Sequence, residues 1–438
     1  MSSDPHFTIS ASSRELENAH RLMRAGRLSE AEQAFRRVLE AEPGQTEALR
    51  FLANAALARG AAGEAVELLK RAAAVDRSDV GVLMELGVAY RAADRRDESR
   101  YVLERALQAS NGRNTTARLL LANVLELDQR PELALAHYFR AILEAQLAGQ
   151  WLGDDTTEPG LRQLVRHAMR YVANGRRALF DAALQPLRQH GAALGRAERA
   201  LAIYLRESNE APADARQRPT FLYVPDLGAM PFPDAAQCEW LPGFLQRITG
   251  TDQEIEACLA APASGAASGG ASPFSLGNML AAQAPETTPP ERRIPVYQRG
   301  LLHDAPRQHA PRLLAALADA PMVHIARHGP DAELIEVAAR ARSATRYGRT
   351  NSRCGVAVGL PGAPVRVLVG GEARPLQAGQ AVLCDPSFGV EYANDGDAPA
   401  RVLAFEIWHP GLGADERDAL SALTAAAVEF DGRVQDLD

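Results

Sequence analysis

The sequence predicts a multidomain α+β protein in which an N-terminal α-solenoid precedes a C-terminal jelly roll, the double-stranded β-helix. Two observations predict this division. Small and large apolar residues recur with a period of about 34 residues through the first third of the chain. From residue 322 onward, short β-forming segments alternate with Gly, Pro, Asn and Asp. A length of 438 residues leaves room for two or three domains.

The N-terminal repeats are predicted to be pairs of helices. Small side chains let the two helices of a unit approach closely, while large ones fill the space between units. The recurring positions are Ala19, Ala31, Phe35 and Pro43 in the first unit, Ala53, Ala65, Leu69 and Ala72 in the second, Gly87, Tyr90, Leu103 and Ala106 in the third, and Ala122, Ala134, Tyr138 and Ala141 in the fourth. This pattern resembles the tetratricopeptide repeat.

Three polar residues of the repeats are candidates for a peptide-binding groove. Asn54 and Asn123 follow the small residue of the first helix in their units, and Arg91 lies near the same place in the third unit. We therefore expect a protein or peptide partner to bind through the repeats. A plain scaffold is the alternative, and the residues do not complete a carboxylate clamp.

The rest of the chain divides by composition. Apolar residues at helical spacing predict a helical extension, and polar, proline-bearing residues predict a linker. The predicted divisions are a flexible tail at 1–11, the solenoid at 12–148, the helical extension at 149–208, the linker at 209–220, a domain at 221–425 and a second tail at 426–438. Low-complexity residues predict mobile insertions near 261–293, which are either a lid or tolerated insertions. The β segments expected in the domain are 333–342, 353–360, 365–371, 381–385, 389–394 and 400–408.

Composition and charge indicate which classes of partner and which cell compartment to expect. A net charge of −7 and a pI of about 5.9 predict neither a nucleic-acid partner nor an anionic membrane surface. The sequence contains no run of about 18 apolar residues, which is the length that would predict a membrane span. The four cysteines lack CxxC spacing, which suits a reducing compartment and gives no metal-site signal. We therefore expect a cytoplasmic protein.

Two short motifs in the C-terminal third are informative because each matches a known pattern at most positions but lacks the histidine of that pattern. The first reads Arg-Tyr-Gly-Arg-Thr-Asn over 346–351, and the second reads Cys-Asp-Pro-Ser-Phe-Gly-Val over 384–390. They resemble the patterns H-x-G-x-(S/T)-N and F-D-D-S-F-x-H of the aspartyl/asparaginyl β-hydroxylase family of 2-oxoglutarate dioxygenases. In that family each pattern brings one iron-binding histidine. The resemblance therefore implies that Arg346 and Val390 occupy former metal-ligand positions.

The resemblance also implies contacts for the cosubstrate. Arg401 matches the arginine that pairs with 2-oxoglutarate in the family, and Arg353 matches another family arginine, so both are candidate anion contacts. Two further family positions that help to hold the cosubstrate are Gly355 and Ala357 here. Each arginine could instead simply pair with a nearby carboxylate.

Two functions from different classes follow. The first is a regulatory pseudoenzyme that binds a protein or peptide, with no catalytic residue, no metal and no cofactor. The second is an active dioxygenase that hydroxylates Asp, Asn or Pro with Fe(II) and 2-oxoglutarate at a displaced metal site. For such a site His324 and His328 are the best candidates, because their four-residue spacing puts both side chains on one face.

Overall fold

The computed structural model describes residues 11–261 and 290–437. The described residues divide into two compact units, residues 11–175 with 433–437, and residues 176–261 with 290–432. The predicted tail before residue 11 lies outside the described residues. Most of the segment expected to carry mobile insertions also lies outside them.

The first unit consists of antiparallel helix pairs, as the repeat pattern predicts. The helices are α1 (Ala11–Arg24), α2 (Leu28–Ala41), α3 (Thr46–Ala58), α4 (Ala62–Val75), α5 (Val80–Ala92), α6 (Arg96–Ala109), α7 (Thr115–Leu127), α8 (Pro131–Leu147) and the first part of α9 (Arg162–Gln189). The small repeat positions are closed to solvent, for example Ala53 and Ala65 at 0% exposure. A Cβ atom on Gly87 would lie 2.7 Å from the Leu103 side chain, so these helices touch where the repeat requires a small residue.

The helices of the second unit surround and extend its sheets. They are α9 from residue 176, α10 (Gly195–Tyr204), α11 (Leu241–Ile248), α12 (Asp252–Ala260), α13 (Asp304–His309), α14 (Pro311–Ala318) and α15 (Ala414–Gln435) up to residue 432. The prediction of a tail at 426–438 is wrong, because α15 continues to Gln435. Its apolar residues Ala427 and Phe430 are buried, which holds this part of the chain as helix.

Among the described residues of the second unit, ten strands form two antiparallel sheets. They are β1 (Glu291–Gln298), β2 (Leu301–Leu302), β3 (Ala332–Val337), β4 (Ala341–Arg342), β5 (Arg353–Leu360), β6 (Val365–Val369), β7 (Glu372–Leu376), β8 (Ala381–Cys384), β9 (Val390–Asn394) and β10 (Ala400–Trp408). The six-stranded sheet has the order β2-β1-β3-β10-β5-β8, and the four-stranded sheet has the order β4-β9-β6-β7. The α+β class with a helical-repeat N-terminus is confirmed.

Strands β1, β2 and β7 are absent from the predicted set, and β3 and β4 were predicted as one segment. The first residues of β1 are predicted to belong to a low-complexity insertion, because the stretch 284–293 that contains them is of low complexity. The strand forms nevertheless, since it pairs along β3 from Glu291 to Tyr297. The expected single segment 333–342 is divided between β3 and β4, which lie in different sheets.

The two faces of the six-stranded sheet have different neighbours. One face, with Leu403 and Phe405 of β10, packs against α11, α12 and α14. The other face, with Val402 of β10 and Ala357 of β5, packs against the four-stranded sheet. Residues on a strand alternate between these faces, so the register decides which side chains enter the space between the sheets.

Candidate functional site

The two positions that the motifs single out, Arg346 and Val390, lie opposite each other. Arg346 and Val390 form an antiparallel bridge, with the Arg346 N–H donating to the Val390 carbonyl at 3.0 Å and the Val390 N–H donating back at 2.9 Å. Two residues that exchange both hydrogen bonds project their side chains to the same side of the ladder. The fold therefore brings together the two positions that the motifs single out, although they are far apart in sequence.

The other motif residues fix the loops that carry this pair. Asn351, 1% exposed, accepts a hydrogen bond from the Val224 N–H and donates one to the Val224 carbonyl, both at 2.7 Å. Asp385 accepts from the Ser387 N–H at 2.9 Å and from Gln217 Nε2 at 2.8 Å, and burial raises the pKa of its carboxyl group. Gln217 belongs to the predicted linker, so that segment is packed onto the motif loops.

The guanidinium of Arg346 pairs with a carboxylate from β1. Arg346 Nη2 lies 3.3 Å from Glu291 Oε1, with side-chain exposures of 60% and 7%. Glu291 also accepts from Arg293 at 3.0 and 3.1 Å, and Arg293 pairs in turn with Glu333. Two arginines and two glutamates thus balance in charge beside the Arg346–Val390 bridge. Sequence reasoning missed this cluster because β1 was not expected there.

Arg353 lies on the face of β5 that looks into the space between the sheets. It is 3% exposed, and its Nη1 donates to Glu406 Oε2 of β10 at 2.9 Å. Gly355 and Ala357 follow on the same face of the strand. These two residues offer no side-chain donor to a cosubstrate carboxylate.

Arg401 does not lie where a 2-oxoglutarate contact would need it. Neighbouring residues of a strand point to opposite faces, and Val402 points into the space between the sheets. Arg401 therefore lies on the other face of β10, with Leu403, where the sheet packs against helices. Its guanidinium pairs with Glu256 of α12 and, at 3.1 Å, with Glu336 of β3. Arg401 is therefore paired with carboxylates outside the space between the sheets. The strand register decided this, and a shift of one residue would have reversed it.

The two histidines suggested for a displaced metal site have different surroundings. His324 is exposed, whereas His328 is 4% exposed and its Nδ1 lies 3.1 Å from Arg349 Nη1. Because a guanidinium can only donate, Nδ1 accepts and the proton of the neutral ring lies on Nε2. Burial, followed by the charges of Arg353, Arg349 and Arg299, lowers the pKa of His328 to about 2.

In the first unit, two of the three predicted groove residues are in contact. Arg91 Nη1 of α5 donates to Asn123 Oδ1 of α7 at 3.2 Å, and Asn54 is exposed on α3. Beside them, Glu126 accepts from the Tyr138 hydroxyl at 2.9 Å and faces His167 Nε2 at 2.8 Å. Glu126 was not predicted, and no local sequence signal distinguishes it from the other carboxylates of these helices.

The comparisons agree with this architecture. Residues 22–84 match the family model for the tetratricopeptide repeat. Residues 285–410 match the model for aspartyl/asparaginyl beta-hydroxylase. The second unit carries an aspartyl/asparaginyl beta-hydroxylase-like domain. The resemblance inferred from the two motifs is confirmed, and the repeats are confirmed with it.

Two curated relatives bear a related name. Aspartate beta-hydroxylase domain-containing protein 1 of Mus musculus is 27% identical over 293 residues, which are 64% of this chain and 73% of the relative. The Bos taurus protein of the same name is 36% identical over 89 residues, which are 19% of this chain and 24% of the relative. A thermophilic tetratricopeptide protein of Thermus thermophilus is 25% identical, over 45% of this chain and 96% of that one. Its TM-score of 0.30 is too low to add to what the helix pairs show.

The described part of the hydroxylase-like domain offers few ligands for a metal ion. Across residues 11–261 and 290–437, no group of three or more His, Cys, Asp or Glu side chains is placed to hold one. Cys354 and Cys384 are buried thiols whose pKa values burial raises, so they stay protonated. Among the described helices, none combines the length and apolar character that crossing a membrane would need.

Proposed function

We propose that this protein is a binding or regulatory pseudoenzyme, in which the tetratricopeptide repeats hold a protein or peptide and the hydroxylase-like domain has lost iron-dependent catalysis. The observation that carries the proposal is the bridge between Arg346 and Val390. The positions expected to bring iron ligands face each other, but they bear a cation and an alkyl group.

Fe(II) does not fit these residues. Iron of this class is held by neutral imidazoles that leave open positions for the cosubstrate and dioxygen. Val390 has no donor atom, and Arg346 adds a fixed positive charge that is already paired with Glu291. The cosubstrate fits no better, since Gly355 and Ala357 lack donors and Arg401 lies on the opposite face of the sheet. No catalytic residue is assigned.

The alternative, an active dioxygenase with a displaced metal site, has less support. The Nε2 atom of His328 carries a proton, and Nδ1 accepts from Arg349, so neither nitrogen is free to bind a cation. Nearby arginines would also repel a dication. His324 alone supplies a single imidazole.

The groove proposal rests on the Arg91–Asn123 contact and on exposed Asn54. These side chains lie on the first helices of consecutive repeats, and together with Glu126 they offer both donors and acceptors to a peptide backbone. To test it, a displayed peptide library would be selected against the full chain. Selected peptides should lose at least tenfold in affinity for the triple variant Asn54→Ala, Arg91→Ala, Asn123→Ala, and unchanged affinity would place the binding elsewhere.

The loss of catalysis is tested by anaerobic titration calorimetry of metal-stripped protein. Fe(II) is added with and without 2-oxoglutarate, and we expect no cosubstrate-dependent heat of binding. Tight binding that requires both would refute the pseudoenzyme proposal and direct the search for ligands to the surroundings of His324. Because the repeats are not involved, this result would leave the groove proposal standing.

A further inference from the structure

Polar side chains join the first helix of one repeat to the first helix of the next. Four such contacts follow one another from α1 to α9, and each pairs one side chain from either helix. They are His20–Glu47 at 2.6 Å, Arg50–Glu85 at 2.7 Å, Arg91–Asn123 at 3.2 Å and His167–Glu126 at 2.8 Å. Three of the four contacts include a carboxylate, and the contact of Arg91 with Asn123 does not.

Arg91 is therefore a fixed cation whose partner is neutral. Its Nη1 donates to Asn123 Oδ1, and across residues 11–261 and 290–437 no carboxylate forms an ion pair with its guanidinium. Its Nε–H also has no acceptor among these residues. An amide oxygen holds a guanidinium in position but leaves the positive charge in place. That charge is free to pair with a carboxylate that a partner brings.

The side chains that precede Arg91 on the same face of α5 are apolar. Met84, Val88 and Arg91 follow one another at spacings of four and three residues, which places them on one side of the helix. All three are half-buried, whereas Leu83 and Leu86 of the same helix are buried. A peptide that lies along this face meets apolar surface that ends at a single positive charge.

We propose that the groove of the repeats selects peptides in which an acidic side chain lies beside apolar residues. Arg91 pairs with the carboxylate, and Met84 and Val88 contact the apolar side chains. The inference rests on the proposed peptide-binding function and adds the chemical class of the peptide. Asn123 holds the guanidinium in place before the peptide arrives, which lowers the ordering cost of binding. Because Arg91 is half-buried, water screens its attraction for a carboxylate less than at a fully exposed site.

The test compares acidic peptides with their amide counterparts. A displayed library of random peptides is selected on the full chain, and each acidic residue of a selected peptide is then replaced by the matching amide. Dissociation constants are measured by fluorescence anisotropy. We expect one replacement in each peptide to weaken binding to the parent protein about tenfold, which is the scale of one hydrogen bond to a charged group.

Two variants assign this preference to Arg91. Asn123→Asp places a carboxylate against the guanidinium within the protein, and Arg91→Gln removes the charge. In both, the amide replacement should weaken binding by less than about twofold. The matched control is Asn18→Asp on α1, because Asn18 also accepts from an arginine, Arg21 Nη2 at 2.9 Å. In this control the tenfold preference of about the parent's size should persist.

The outcomes separate this inference from the proposed function. An acidic preference that persists in Asn123→Asp or in Arg91→Gln would overturn the inference and leave the groove proposal standing. Selected peptides that bind without an acidic residue would do the same. If the full chain selects no peptide at all, the groove proposal is refuted, and the inference that rests on it is refuted as well.

Discussion

The Arg346–Val390 bridge makes a quantitative prediction about metal binding. A hydrogen-bonded antiparallel pair has its Cβ atoms about 5 Å apart, close enough for two imidazoles to share one ion. We therefore expect the double variant Arg346→His, Val390→His to bind Co(II), which serves as a spectroscopic substitute for Fe(II). The parent protein should not bind it at these positions.

The contribution of the arginine charge can be separated from that of the ligands. At about 4 Å a guanidinium repels a dication by about 8 kcal/mol at an effective dielectric constant of 20 and by about 2 kcal/mol in water. Because the Arg346 side chain is 60% exposed, the lower figure applies. Val390→His alone should therefore bind Co(II) about 30-fold more weakly than Val390→His combined with Arg346→Met, which has the same single imidazole.

The assay is anaerobic titration followed by the visible absorption of Co(II), with circular dichroism to check folding. A matched control replaces two exposed arginines on opposite sides of the six-stranded sheet, Arg247→His on α11 with Arg366→His on β6, which adds two imidazoles that do not face each other. If the facing pair binds Co(II) no more tightly than this control, the alignment of the two motifs is wrong.

Three further predictions concern stability, each measured by urea unfolding. Glu406→Gln leaves buried Arg353 without its carboxylate, so the free energy of unfolding should fall by about 3 kcal/mol. Gly87→Ala should lower the free energy of unfolding by about 1–3 kcal/mol, because the added Cβ meets a leucine side chain at 2.7 Å. Its control is Gly63→Ala in α4, where the added Cβ has no atom within 4 Å, and this variant should raise the free energy of unfolding by up to about 1 kcal/mol. Burial raises the pKa of Asp431 to about 6 from 3.8, so the folded state holds this proton more tightly than the unfolded chain. Stability from this group is therefore lost as pH rises from 3.8 to about 6, and the asparagine variant should lose that pH dependence.

Each of these predictions has an outcome that would contradict it. For the buried ion pair, the control is Glu372→Gln, whose partner Arg216 is exposed and which should cost under about 1 kcal/mol. Equal losses in the two glutamine variants would show that Arg353 does not depend on its partner. Equal effects of the two glycine substitutions would contradict the close helix contact, and an unchanged pH profile in the asparagine variant would assign the titration to another group.

Much of the fold could be predicted because its signals are local or periodic. The repeats are visible in sequence because the same small residues return once per helix pair, and the structure buries them as expected. The strands from 353 to 360 and from 400 to 408 were predicted with their observed bounds, since glycines and polar turns delimit apolar runs. Strand β1 could not be predicted in the same way, because charged residues on its inner face obscure the alternation.

The sequence by itself determined which residue types occupy the two motif positions. That Arg346 and Val390 stand at these positions can be read without coordinates, because the residues that surround them in both motifs are present in the sequence. Only the tertiary structure decided that Arg401 faces the helices and that Arg346 pairs with Glu291. The physical reason is that such contacts depend on strand register and on chain segments distant in sequence, and a register change of one residue turns a side chain to the other face of a sheet.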